Sequence, residues 1–329
     1  MISLSYFENS KEFTVSSYKE LIALCTTLRV NNPKTPYTIY IKGKGNEIAN
    51  IKFNFDYFRI ISDDGYELDS TLYANMLDNE GNELTTWKTA ALKVTGSHNI
   101  FINLQVANIS KEPEVKGQEV AVGVYGDDNI FIRCHFVSTQ DTLFVGPLPD
   151  DLCTRYIDFL PQDERYFDGN ATNCFSECRI EGTVDFIFGA GRAIFDNCQL
   201  VTLNDVRGET YVVAPSHSLK DTFGYLFYQC SFLKEEGVMD HSIYLARPWR
   251  DYGKAVFAHC QYDSHISPLG FADWSNVNRV RTARFEEYPR CETRVYWTYN
   301  KLGSELPSFY TDAVLELRKK LHIIDKKAR

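Results

Sequence analysis

Between residues 100 and 262 the apolar positions recur at a period of two, and one cassette keeps returning. It reads apolar, any, apolar, one or two polar residues, then Cys or Leu, any, apolar. Copies are Ile100-Phe101-Ile102-Asn103-Leu104-Gln105-Val106, Ile130-Phe131-Ile132-Arg133-Cys134-His135-Phe136 and Ala193-Ile194-Phe195-Asp196-Asn197-Cys198-Gln199-Leu200. Two more are Tyr225-Leu226-Phe227-Tyr228-Gln229-Cys230-Ser231-Phe232 and Ala255-Val256-Phe257-Ala258-His259-Cys260-Gln261-Tyr262, and Asn173-Cys174-Phe175-Ser176-Glu177-Cys178-Arg179-Ile180 is similar. A period of two is that of strands. One such coil cannot bury its own apolar stripe, but stacked coils share a continuous core. The pattern therefore predicts an all-β parallel β-helix with loops of variable length. A β-sandwich also alternates, but its strands do not repeat one cassette at matched positions.

Helical spacing is confined to the ends. Residues 15–28 place Tyr18, Leu21, Ile22, Leu24 and Cys25 on one face, with Ser16 or Ser17 as the cap. Residues 311–323 predict a second helix, followed by a basic tail, Lys326-Lys327-Ala328-Arg329. The stretch Lys111–Lys116 reads as a charged surface connection. Residues 146–165 hold three prolines and five acidic residues, which predicts a long loop inserted between coils. The whole chain, 1–329, reads as one β-helix domain. Cys134, Cys178, Cys198, Cys230 and Cys260 fall at one cassette position and would form an interior ladder.

Composition narrows the partners. A net charge of -9 argues against nucleic acid, and no run of 18 apolar residues suggests a membrane span. Nine cysteines, an odd number, and an N-terminus without a signal-peptide pattern point to reduced thiols and a cytoplasmic protein; a trimmed mature form would instead be secreted. His259 and His265 stand apart from any cluster that would hold a metal.

Asp141 follows Cys134 by seven residues, and Asp185 follows Cys178 by seven. On stacked coils, equal offsets become neighbours about 4.8 Å apart. Two adjacent carboxylates do not both ionise freely, so one can hold a proton while the other attacks. Taken singly, each aspartate could equally be a turn residue.

The chain resembles the pectin methylesterase family. The resemblance is carried by Gly117-Gln118-Glu119-Val120-Ala121, Gly126-Asp127, Ser138-Thr139-Gln140-Asp141-Thr142-Leu143-Phe144, Ile180-Glu181-Gly182-Thr183-Val184-Asp185-Phe186-Ile187-Phe188-Gly189 and Leu245-Ala246-Arg247-Pro248-Trp249-Arg250, with Trp274 and Arg284 further on. It extends from about Gly43 to Trp297. It implies a right-handed parallel β-helix that hydrolyses methyl esters of galacturonate in pectin or oligogalacturonides, as a monomer and without metal or cofactor. By the same resemblance Asp185 is the nucleophile and Asp141 the general acid and base. Gln118 and Gln140 are the oxyanion donors, and Arg247 orients the nucleophile. Trp249 packs on a sugar ring, with Phe144 and Phe188 as apolar walls of the substrate subsites. Secreted members of the family can bridge the positions of Cys178 and Cys198; free thiols are the expectation here.

Three departures bear on substrate. A tyrosine of the family motif is replaced by Gly45 within Gly43-Lys44-Gly45-Asn46-Glu47, Glu119 places a carboxylate beside Gln118, and Ala246 stands for a glycine. The alternatives are a lyase or polygalacturonase on the same fold, or a β-helix that binds acidic polysaccharide without catalysis.

Overall fold

A computed structural model describes the chain except residues 3, 32–33, 64, 111–116, 166–171, 205–209, 276–277, 292–293, 295–304 and 326–329. The charged connection 111–116, the basic tail and Trp297 thus lie outside the described residues. Three sheets of ten, eight and seven strands run the length of the molecule, and each strand pairs in parallel with its counterpart in the next coil. This is a parallel β-helix; a sandwich would need antiparallel ladders.

One coil shows how the cassette is used. Ile130–Ile132 lies in the ten-stranded sheet, His135–Ser138 in the eight-stranded sheet and Leu143–Val145 in the seven-stranded sheet. The first bend passes through a single residue in the left-handed conformation. Asn103, Arg133, Glu177, Asn197, Gln229 and His259 fill this place in six coils, with φ between 51° and 57°. Short polar or solvent-facing side chains suit such a bend, because a β-branched residue there is strained. The polar position of the cassette is thus a corner, and the cysteine or leucine after it is the first residue to point inward.

The inner stripe is formed by the residue three places before each cassette cysteine or leucine: Phe101, Phe131, Phe175, Phe195, Phe227 and Phe257 stack face to face at 4.6–5.0 Å between centroids. In the copies at Ile100 and Ile130 this residue lies between the apolar pair, and in those at Ala193, Tyr225 and Ala255 it is the pair's second member. The flanking residues, such as Ile100, Ile130, Ile194 and Leu226, face outward and are still buried. The reason is a second layer. The C-terminal helix Ser308–Asp325 and residues near the N-terminus cover that face with Tyr310, Val314, Leu317, Ile2 and Phe7. Arg318 then grips Asp196 through two bonds of 2.9 and 2.7 Å.

The cysteine ladder is present. Each cassette thiol from Cys134 to Cys260 donates to the carbonyl of the stacked phenylalanine one coil earlier, at 3.2–3.6 Å. All nine cysteines are free thiols, Cys178 and Cys198 included. Among the described residues, no helix is long and apolar enough to cross a membrane.

Local predictions shift at their edges. The N-terminal helix runs Tyr18–Asn31, because Lys11–Val15 forms a strand that opens the ten-stranded sheet. Ser17 Oγ accepts from Glu20 N at 3.1 Å, which caps it. Residues 146–165 are not a bare loop: Asp150–Arg155 and Gln162–Arg165 are short helices. Glu164, buried, accepts from Lys52 Nζ at 2.9 Å and Lys93 Nζ at 2.7 Å, which ties this insertion to the outer face of the seven-stranded sheet.

Candidate active site

The seven-stranded sheet carries the two aspartates. Gln140 pairs with Val184 and Leu143 with Ile187, so Asp141 and Asp185 stand in register on adjacent coils, with backbones about 4.8 Å apart. Both adopt left-handed backbone, φ 65° at Asp141 and 51° at Asp185. Non-glycine residues in this region cost energy and gather at functional sites. The surrounding bend is stitched across coils: Asp141 N donates to Val184 O at 3.1 Å and Thr183 N to Thr139 O at 2.7 Å. Gly182 is required there, since a Cβ would lie 2.3 Å from Phe186 Cβ. Against the next strand, Thr210–Pro215, the register slips between Val184 and Ile187, a bulge at the aspartate itself. A bulge turns a side chain off the regular alternation.

Arg247 closes on Asp185 as a fork, with Nε to Oδ1 at 2.8 Å and Nη2 to Oδ2 at 2.6 Å. The guanidinium is held between two rings, 3.9 Å from the Tyr211 centroid and 4.2 Å from that of Trp274. Asp185 is 5% exposed. Burial pushes its carboxyl above the ordinary aspartate range, and Arg247 opposes that rise without cancelling it. Asp141 also acts electrostatically on Arg247, so the cation answers both carboxylates.

Gln118 and Gln140 are half-buried and lie on neighbouring bends, joined where Glu119 N donates to Gln140 O at 3.0 Å. Glu119 does not put a charge into the open site. It is fully buried and its Oε2 accepts from Thr139 Oγ1 at 2.9 Å. Trp249 is half-buried above Phe188, 5.9 Å edge to face, and near Trp87 at 6.4 Å.

Phe144 and Phe188 depart from expectation. At 0% and 3% exposed they offer no wall to a ligand. Trp87, Tyr125 and Trp249 pack on the two rings, and Leu148, Leu152 and Leu160 of the insertion complete the outer cluster. The other departures are structural. Glu47, two residues past Gly45, accepts from Tyr18 N at 2.7 Å and Tyr66 Oη at 2.6 Å, anchoring the N-terminal helix on a different sheet. Ala246 is buried in the core. Arg284 brackets carbonyls of Asp221, Ser218 and Tyr252 and stays away from the aspartates.

Sequence reasoning gave Trp274 no role and passed over Tyr211 and Trp87. Tyr211 sits on a strand with no motif, and Trp87 lies in a 3-10 turn, Thr86–Lys88, before the first cassette. No local signal marks either one.

Comparison with known proteins shows the family and the fold. A family model described as Pectinesterase matches residues 16–148 and 160–304, leaving most of the insertion outside. Pectinesterase 31 of Arabidopsis thaliana is 30% identical over 234 residues, 68% of this chain and 63% of that protein. Pectinesterase QRT1 of the same plant is 27% identical over 238 residues, 70% of this chain and 55% of that protein. The chain thus spans little more than half the length of these relatives. Among solved structures, pectin methylesterase from carrot superposes with a TM-score of 0.68 at 21% identity, covering 83% of this chain and 81% of that one. A pectin methylesterase in complex with a hexasaccharide gives 0.66 at 20% identity, covering 91% and 99%. At these identities the structures show a shared fold.

Proposed function

The chain belongs to the pectinesterase family, and from that premise we propose that it hydrolyses methyl esters of galacturonate residues in pectin or oligogalacturonides, through an acyl-enzyme on Asp185. The observation that carries the reading is the Arg247 fork on Asp185, one coil from Asp141 in register.

The chemistry follows from those groups. Arg247 fixes the Asp185 carboxylate in one orientation and favours its ionised form, so an oxygen can attack the ester carbonyl carbon. The carbonyl oxygen gains charge as the tetrahedral intermediate forms. The amides of Gln118 and Gln140 are suited to donate to it, and losing such a donor typically costs about 3 kcal/mol of barrier. The intermediate collapses by breaking the bond to methoxide, and Asp141 gives that oxygen its proton, so methanol leaves. Asp141, now ionised, takes a proton from water. The hydroxide attacks the acyl carbon, frees the galacturonate carboxyl and restores Asp185. Trp249, half-buried, is the ring proposed to pack against a sugar.

Methanol release from methylated oligogalacturonides tests this, with Asp185→Asn as control. Activity should vanish in the variant while the fold, read by circular dichroism, is kept. Methanol release that survives the substitution would sink the acyl-enzyme. Shortening of the chain without methanol would favour a lyase or polygalacturonase.

A further inference from the structure

A second cavity, about 650 Å³, opens where the insertion meets the bends that follow three strands of the seven-stranded sheet. Gly191 on its wall is six residues along the chain from Asp185, up to roughly 20 Å of extended backbone. Neither aspartate, nor Arg247, nor Trp249 lines it. Trp249 packs into the aromatic cluster beside the catalytic bend, while the next residue, Arg250, faces this cavity.

Its charges are arranged in pairs. Arg192 Nε meets Asp221 at 3.2 Å, Arg250 meets Asp151 through bonds of 3.0 and 2.7 Å, and Arg279 Nε meets Asp251 at 3.1 Å. Lys220 and Asp150 make the lining four cations against four anions. An entering carboxylate can meet exposed Lys220 at the edge, but to reach any of the three arginines it would have to break a formed pair beside an aspartate, which loses energy. An uncharged ring meets no such conflict: its hydroxyls can donate to the carboxylates and accept from the guanidinium groups. Two further observations point the same way. Ser216 is 4% exposed and lines the cavity, and its hydroxyl has no hydrogen-bond partner. Tyr252, 36% exposed, and half-buried Pro147 also line it and offer apolar surface on which a sugar face can stack.

We propose that this cavity is an accessory carbohydrate site that takes an uncharged, hydroxyl-rich sugar ring and discriminates against a free uronate. On the functional reading above, its occupant is an esterified galacturonate or a neutral branch sugar of the chain being demethylated; the proposal rests on that reading only for this assignment. The enzyme would then favour densely esterified or branched chains over its own de-esterified product.

The test separates binding from turnover by using full-length Asp185→Asn protein and calorimetric titration with three ligands of equal length. These are a fully methyl-esterified galacturonide, the de-esterified acid and a neutral galacto-oligosaccharide. Expected is binding of at least one uncharged ligand about ten-fold tighter than the acid, the size set by one broken charge pair. Tyr252→Ala should weaken the uncharged ligand about five-fold, as for one lost ring contact. Asp151→Asn with Asp251→Asn, which removes the carboxylates facing Arg250 and Arg279 and leaves them only carbonyl contacts, should bring the acid level with the ester. The ester alone gaining over the acid names esterified galacturonate as the occupant; the neutral sugar gaining too names the branch sugar. Equal affinity for acid and uncharged ligands in the parent, or a preference that the double substitution does not move, would overturn the proposal. Methanol release by the protein carrying native Asp185 is assayed separately. Its absence, with the binding preference intact, would remove the esterase reading and leave the cavity's specificity standing.

Discussion

At the scale of single residues, the behaviour of the site turns on what surrounds Asp185. As the proposed nucleophile Asp185 must be ionised, and burial raises it above the ordinary aspartate value of about 3.9. The ionised fraction is therefore lost as pH falls through a raised value, and the acid limb of kcat/KM should lie above that ordinary range. Arg247 lowers the Asp185 value against that trend, so Arg247→Gln should move the acid limb further up while reducing kcat; a limb that stays in place would show that another group titrates. The rings on either side of Arg247 act through it. Trp274→Ala should lower kcat about ten-fold with a smaller change in KM, since a loosened fork misplaces the attacking oxygen. Steady-state profiles from pH 3 to 8 check both. Arg247 was legible because it lies inside a dense motif. Its clamps were not, because Tyr211 and Trp274 reach it only through the stacking of distant coils.

At the scale of elements, the coil was readable and its covering was not. A repeated cassette with a fixed corner residue announces strands that stack, and the observed registers follow it. Which face points inward depends on a partner that no coil encodes. The C-terminal helix covers the outward apolar residues beside the stacked phenylalanines, such as Ile130, Ile194 and Leu226, leaving the phenylalanines for the core. At the site the insertion adds Leu148, Leu152 and Leu160 to the outer cluster that holds Phe144 and Phe188, where turn-forming residues alone suggested a loop. Two measurements bear on these elements. Phe175→Ala removes a fully buried ring from the middle of the stack, and urea unfolding should show a loss of about 3–5 kcal/mol. Glu164→Ala strips the insertion of its two lysine contacts, and limited proteolysis should then cut within residues 146–165 at protease levels that leave the parent chain whole.

At the scale of the whole molecule, on the proposed function a net charge of -9 would face a substrate that becomes more negative with every ester removed. The site holds its own cation in Arg247, but that charge is committed to Asp185, and the arginines of the second cavity are committed to aspartates. Attraction of a polyanion is thus weak at the places where a chain would lie, and repulsion from the rest of the surface is long-ranged at low salt. Such repulsion is screened over about 8 Å at 0.15 M ionic strength. Raising salt from 0.01 to 0.15 M should therefore lower KM for a half-esterified galacturonan, whose free carboxylates meet that field. KM for a fully esterified oligomer, which carries no side-chain charge, should stay within two-fold, because encounter with a neutral ligand is not steered. Opposite behaviour, with salt weakening the binding of the half-esterified chain, would mean that unpaired surface cations gather the substrate and that the paired arrangement of the arginines does not govern its approach.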